Sequence, residues 1–174
     1  MLENDMIDHF LNDLSTEKID KQYLQSNGWD KVDREELARY FVALRKHFNA
    51  MKKVIQFLSG SMILLQSSYT AKEEIYRSVS FAKNLLSETK EAILHISIPK
   101  PLLQHYHEMC KSMVCIERAY AELQLEERIY YLQEAEIKKL LIHVKYANNY
   151  LKKASSFQMG LEMIDLNSGC GCTH

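Results

Sequence analysis

The chain has 174 residues, of which 47% are hydrophobic, but it contains only five Gly and two Pro. A β-sandwich or a doubly wound α/β fold needs a turn about every ten residues, and so few Gly and Pro residues cannot supply those turns. The formal net charge of −1 excludes a polycation of the kind that coats nucleic acid. A single domain built from long helices is the class that remains.

The first residues are acidic where a secretory signal would be basic, and no apolar signal segment follows them. The most apolar stretch, residues 62–65, is far too short to span a bilayer. Four Cys in a chain of this length do not make a disulfide framework. We therefore expect a cytoplasmic protein with no membrane segment.

The near-zero net charge conceals a block pattern. Residues 1–36 carry ten acids and four bases, and residues 37–72 carry six bases and no acid. Residues 101–136 carry seven acids and three bases, and residues 137–161 carry five bases and no acid. Acidic and basic helices that lie side by side are the simpler interpretation. The alternative is a basic surface that meets an acidic partner or a phosphate backbone.

Two short helices are predicted in residues 1–28. The first is indicated by apolar residues at helical spacing: Leu2, Met6, Phe10 and Leu14. Ser15 or Thr16 caps the second helix, which ends at Asn27 and Gly28 because Gly accepts the left-handed conformation at a helix C-terminus.

The clearest helix start is Asp33, which precedes Glu36 by three residues, with Val32 placed to pack on Leu37. Ten apolar residues then follow strict 4-3 spacing, which is typical of a helix packed along its length: Leu37, Phe41, Leu44, Phe48, Met51, Ile55, Leu58, Met62, Leu65 and Tyr69. This helix should span 33–68 and pass through Gly60, which falls in an outward position. Three bases share that outward position and are a candidate interaction surface: Arg39, Lys46 and Lys53.

The second half of the chain continues the 4-3 pattern. Helices are predicted over 71–96 and 101–123, separated by Pro99 and Pro101, and over 126–158. No Ser, Thr, Asp or Asn lies between Ser112 and Asn148 to cap a helix, yet one helix over 101–158 would be roughly 85 Å long. We expect a kink or turn near 122–128, with a single helix projecting into a dimer as the alternative.

These elements predict an all-α fold, an antiparallel up-down four-helix bundle with two short N-terminal helices and a flexible C-terminal Cys-x-Cys tail. Residues 1–28 form the short helices, 29–160 form the bundle and 161–174 form the tail.

The tail carries the one motif with chemical character, since Cys170, Cys172 and His174 alternate at spacing two. Two thiolates and an imidazole suit Zn²⁺ or another thiophilic metal, with a fourth ligand still required. A strained disulfide between the two Cys would instead make the tail a redox site. An unstructured tail with free thiols is the simpler interpretation.

Other metal-binding patterns are weak. A ferritin-like pair of metals needs Glu-x-x-His on two helices, and no Glu-x-x-His occurs in the chain. The nearest candidates are dispersed: Glu91, His95, Glu127, Glu134 and His143. His105 and His107 lie two residues apart on a helix, which turns their rings to different faces.

No nucleophile elbow, phosphate-binding loop, dinucleotide fingerprint or zinc-protease helix is present. We therefore expect a non-enzymatic helical-bundle protein that acts through protein–protein interaction, with another protein or a second copy of itself. The alternative is a metal-binding or thiol-redox protein that uses the Cys170-Gly171-Cys172-Thr173-His174 tail. A weaker alternative is nucleic-acid binding through the basic face of Arg39, Lys46 and Lys53.

The tail hypothesis predicts that purified protein contains bound zinc, or another thiophilic metal, that a Cys170→Ser/Cys172→Ser variant loses. Elemental analysis of the two proteins measures this directly. Equal metal content in both would contradict a metal site in the tail.

Overall fold

The computed structural model describes residues 2–15, 21–67, 72–123 and 131–163. Most of these residues are helical, and no strand occurs among them, so the described part of the chain is all-α. The helices, in chain order, are α1 (Leu2–Ser15), α2 (Lys21–Ser26), α3 (Arg34–Gln66), α4 (Lys72–Ile93), a 3₁₀ turn (Lys100–Leu102), α5 (Leu103–Leu123) and α6 (Glu134–Lys153).

The two short N-terminal helices are present as α1 and α2, and the start of α3 agrees with the sequence. Of the two residues predicted to cap the second helix, Ser15 is the last residue of α1 and Thr16 lies outside the described residues. The positive φ of Gly28, 69°, turns the chain just after α2, as its position had indicated. The Asp33 carboxylate accepts the backbone N–H groups of Glu35 and Glu36 at 3.0 and 3.2 Å. That cap satisfies donors that the first turn of a helix otherwise leaves unpaired.

The apolar register of α3 is confirmed over its described length. Its first eight positions, from Leu37 to Met62, are buried, and Leu65 is half-buried, whereas Tyr69 lies outside the described residues. Gly60 lies in the middle of the helix on an exposed face. Helix α3 packs against α1, α4 and α6, while α5 packs mainly against α6. Helix α3 is therefore the element that contacts most of the others.

The register of α4 is also confirmed, since the same 4-3 positions are buried: Ile75, Val79, Ala82, Leu86, Thr89 and Ile93. The predicted end at residue 96 is wrong, because the α-helix stops at Ile93. His95 and Ile96 donate their N–H groups to Ala92 and Ile93, three residues back, so the chain tightens into turns before Pro99.

The described residues between 101 and 158 contain two α-helices, as expected, and not one long helix. The predicted start of the second helix at 126 is wrong, because residues 131–133 are not α-helical and α6 begins at Glu134. The Glu136 carboxylate accepts the Gln133 backbone N–H at 2.8 Å, and this fixes the start. Most of the segment in which the kink or turn was expected, 122–128, lies outside the described residues.

Helix α6 ends at Lys153 and not at the expected residue 158, because the chain folds back on itself. Ser156 and Leu161 exchange two backbone hydrogen bonds of 2.7 and 2.8 Å, and Gly160 between them has a φ of 69°. This turn places Met159 and Leu161 in the core, where both are fully buried. They lie on either side of residue 160, where the bundle was expected to end and the tail to begin. No helix in the described ranges is both long and apolar enough to cross a membrane.

Two of the glycines in the described structure, Gly160 and Gly60, make a matched test. Gly160→Ala should lower the free energy of unfolding by about 1–2 kcal/mol, because its φ is positive and a Cβ there would lie 2.8 Å from the Arg45 guanidinium carbon. Gly60→Ala should raise it by about 0.5–1 kcal/mol, because it sits in an exposed helix interior with nothing within 4 Å. Urea denaturation measures both. Changes of the same sign in the two variants would contradict this backbone conformation.

Candidate functional site

The residues of the predicted metal tail, Cys170, Cys172 and His174, lie outside the described residues. Among the residues that are described, no three His, Cys, Asp or Glu side chains come together in a way that would hold a metal ion. Cys110 is half-buried and Cys115 is buried, and neither forms a disulfide. The tail motif accordingly stays a prediction from the sequence.

The dispersed acids and histidines are not gathered into one site. His95 is exposed, and its Nδ1 lies 2.7 Å from the Glu91 carbonyl oxygen of its own helix. Glu134 is an exposed residue in the first turn of α6, where its hydrogen bond and ion pair with Lys138 lower its pKa. Glu127 lies outside the described residues, and the other candidates belong to no described group of three that could hold a metal ion.

The basic positions on α3 occupy the outward face that their spacing indicated. Arg39, Lys46 and Lys53 are all exposed. The Arg39 guanidinium forms an ion pair with Glu35, one turn earlier on the same helix. Exposed pairs of this kind contribute little to stability. Binding of an acidic partner by this stripe stays a prediction.

The structure instead brings together a histidine, aromatic rings and a carbonyl that the sequence had not grouped. His105 is 9% exposed, and its Nδ1 lies 2.8 Å from the Tyr40 hydroxyl of α3. Its Nε2 lies 2.9 Å from the carbonyl oxygen of Ala154, which follows α6. We call His105, Tyr40, Ala154, Trp29 and Phe41 the His105 cluster. It joins three segments of the chain at one end of the molecule.

The hydrogen bonds of the His105 cluster fix the tautomer of the ring. A backbone carbonyl only accepts hydrogen bonds, so Nε2 carries the proton and donates it to Ala154. Nδ1 of the neutral ring is then an acceptor, and the Tyr40 hydroxyl donates to it. Burial lowers the pKa of His105 to about 4, although the bond to Ala154 acts in the opposite direction. Burial also raises the pKa of Tyr40, so both groups are neutral near pH 7.

Aromatic rings surround this histidine. The Trp29 ring lies 5.5 Å from the imidazole, centroid to centroid, and the Phe41 ring lies 5.3 Å away, both edge to face. Such pairs add about 0.5–1.5 kcal/mol each to the effect of burial. Because both ring nitrogens are already bonded and the ring is neutral, His105 serves as a packed structural group in this arrangement.

An open cleft of about 490 Å³ lies beside the His105 cluster. It is bounded by the end of α2 and the loop after it, the first turns of α5 and the end of α6. Trp29 and His105 line it together with polar and charged residues that include Gln104, Glu108 and Lys153. Aromatic, acidic and basic side chains therefore line the same cleft.

Sequence reasoning missed the His105 cluster because it considered His105 only with His107. The two rings do lie on different faces, since His105 is buried and His107 is exposed. The available signal was the position of His105 one turn from two buried residues, Leu102 of the 3₁₀ turn and Met109 of α5. Its partners, however, are 65 and 49 residues away, and no local pattern identifies them.

Comparison with known proteins gives no relative from which a function can be transferred. No protein-family model matches the chain, and neither a curated protein nor a solved structure matches it.

The buried imidazole predicts a pH dependence of stability. His105 stays neutral in the folded state until about pH 4, whereas in the unfolded chain it takes up a proton below its ordinary pKa of 6.5. The unfolded state therefore binds more protons between these values, and the free energy of unfolding falls as the pH falls. The expected loss between pH 7.5 and pH 5 is about 2 kcal/mol.

Urea denaturation of wild type and His105→Gln at several pH values isolates this contribution. The comparison is needed because burial also lowers the pKa of His47, which acts in the same direction. The variant should be less stable at pH 7.5 and should lose less stability on acidification. Parallel pH profiles for the two proteins would contradict a buried neutral His105.

Proposed function

We propose that this chain is a non-enzymatic protein that acts by binding another protein or a second copy of itself. The observation that carries the proposal is on α6, where two large apolar side chains are exposed one helical turn apart. Ile142 is 52% exposed and Tyr146 is 55% exposed. Scattered apolar residues are normal on a protein surface, but two in register on one helix face form a continuous contact surface.

Lysines surround this pair. We define the α6 outer face by its exposed residues: Lys138, Lys139, Ile142, Lys145 and Tyr146. Lys138 is paired with Glu134, but no acidic residue occurs in α6 after Glu136, so Lys139 and Lys145 leave the face positive. Apolar contact gives affinity, while a rim of one charge selects the partner and speeds its approach. The chemistry therefore suits a partner that presents apolar groups flanked by carboxylates.

The chain itself carries a surface of the opposite sign. In α1 the exposed side chains include Asp5, Asp8 and Met6, the last of which is 41% exposed. An acidic helix with an exposed apolar residue is complementary to the α6 outer face. This complementarity supports self-association as one form of the proposed function.

The scaffold that presents this face is proposed to be an antiparallel up-down four-helix bundle of α3 to α6. Tyr106 and Tyr120 of α5 donate to the carbonyls of Ile93 and Val79 of α4, at 3.4 and 2.9 Å, and the order along the two helices is reversed. Between α5 and the C-terminal part of the chain, Ser112 donates to the Ala147 carbonyl at 2.8 Å. His105, earlier on α5, bonds to Ala154, so that order is reversed as well.

Substitution of Ile142 and Tyr146 by Glu should weaken binding at least tenfold, because burying one such side chain contributes about 1.5–3 kcal/mol. The thermal unfolding temperature should change little, since both side chains are exposed. Leu94→Glu is the matched control, because Leu94 is 66% exposed and lies beyond the end of α4.

Analytical ultracentrifugation measures self-association, and pull-down with each variant as bait measures capture of another protein. Association or capture that is lost in the α6 variant and kept in Leu94→Glu supports the proposal. A strict monomer whose captured proteins do not depend on the α6 outer face would contradict it.

A further inference from the structure

The cleft beside the His105 cluster is separate from the proposed interaction surface on α6. We call it the Trp29 cleft, and its volume of about 490 Å³ is within the usual range for small-molecule sites of roughly 300–1,000 Å³. None of the five residues that define the α6 outer face lines it. Binding in the cleft and binding by that face can therefore be measured separately.

The inner wall of the cleft is aromatic, uncharged and held in place. Trp29 is 6% exposed, and its ring contacts His105, Phe41 and Tyr23 at centroid distances between 5.2 and 5.8 Å. The Tyr23 hydroxyl donates to Ser156 Oγ at 2.6 Å, which ties the end of α2 to the turn after α6. A wall fixed in this way requires little ordering when a ligand binds.

One carboxylate on the cleft has an unused oxygen. Glu108 Oε1 accepts from Lys111 Nζ at 2.7 Å, but Oε2 is buried and has no hydrogen-bond donor. The Glu108 side chain is only 13% exposed. A buried carboxylate oxygen without a donor is unfavourable, so a ligand that supplies an N–H group to it would be favoured.

An ammonium group on the same cleft, that of Lys153, is also relevant to binding. Lys153 Nζ lies 5.2 Å from the centre of the Tyr150 ring and forms no ion pair within the described part of the chain. The Gln104 carboxamide, also on the cleft, makes no hydrogen bond to any described residue. The cleft therefore offers an acceptor at Glu108, a cation at Lys153 and a neutral amide at Gln104.

We propose that the Trp29 cleft binds a small zwitterion of the free amino acid type, with its ammonium group on Glu108 and its carboxylate on Lys153. The side chain of the ligand lies along Trp29. Charge-assisted hydrogen bonds to both ends select for a molecule that carries both charges. A ligand with only one charge leaves either Glu108 Oε2 or Lys153 without a partner.

Trp29 is the only Trp in the chain, so its fluorescence reports on this cleft alone. Full-length protein is titrated with each common amino acid that lacks an aromatic ring. A saturable change in emission is expected for at least one of them. The N-acetylated and the amidated forms of that amino acid should each bind at least about tenfold more weakly, because each lacks one charge.

Variants locate the site. Glu108→Gln and Lys153→Met should each weaken binding about tenfold or more. Glu122→Gln and Lys152→Met, exposed positions on the same two helices and outside the cleft lining, should leave it unchanged. If Glu108→Gln unfolds the protein, as circular dichroism would reveal, Lys153→Met decides the question alone.

Three results overturn this proposal. One is the absence of a saturable response to any of these amino acids up to about 10 mM, a concentration that would detect even millimolar affinity. Another is equal affinity for the capped and uncapped forms. The third is binding that is insensitive to substitution of Glu108 and Lys153. None of these results bears on the α6 outer face, which the ultracentrifugation and pull-down experiments test independently.

Discussion

One buried imidazole determines how three distant parts of the chain meet. His105 of α5 accepts from Tyr40 of α3 and donates to the carbonyl of Ala154 beyond α6. Burying a polar group is costly unless its hydrogen bonds are made, and these two partners satisfy both ring nitrogens within the core. The turn that follows Ala154 then returns Met159 and Leu161 to the core. The packing of this end of the molecule thus depends on the neutral ring of His105.

In the rest of the molecule, the helices are held together mainly by the burial of apolar side chains rather than by buried hydrogen bonds. Helix α3 presents a continuous apolar seam and contacts α1, α4 and α6. The charge blocks of the sequence are consistent with this packing in part, since acidic α1 lies on basic α3, whereas α5, with three acids and two bases, lies on basic α6. Screened, exposed charges contribute little to stability. The distribution of these charges matters more for which surfaces remain available to bind a partner. On α6 it leaves an outer face of lysines around Ile142 and Tyr146.

The sequence was sufficient for helices whose evidence is local. The 4-3 spacing from Leu37 to Met62 identified buried positions, and Asp33 identified the first residue of a helix, because both patterns act within a few residues. Helix α6 was placed too early because its start depends on Gln133 and Glu136, and Gln is not among the usual capping residues. The turn from Ser156 to Leu161 was missed because it is held by packing against α3, which sequence spacing does not reveal.

The candidate sites, like the helices, divide into one that helix periodicity predicts and one that depends on tertiary contacts. The outward position of Arg39, Lys46 and Lys53 followed from helix periodicity, whereas the Trp29 cleft is assembled from residues between 23 and 155. Clefts of this kind depend on tertiary contacts, so a single sequence does not disclose them. The wall of this cleft includes the ring of His105, which is neutral near pH 7.

The most direct test of this account is an NMR titration of the His105 imidazole nitrogens in selectively ¹⁵N-labelled protein. The account predicts a neutral ring protonated at Nε2, with shifts that stay constant as the pH falls through 6.5 and change only near pH 4. A His105 that titrates near its ordinary pKa, or a neutral ring protonated at Nδ1, would contradict the buried hydrogen-bonded arrangement on which the fold and the cleft depend.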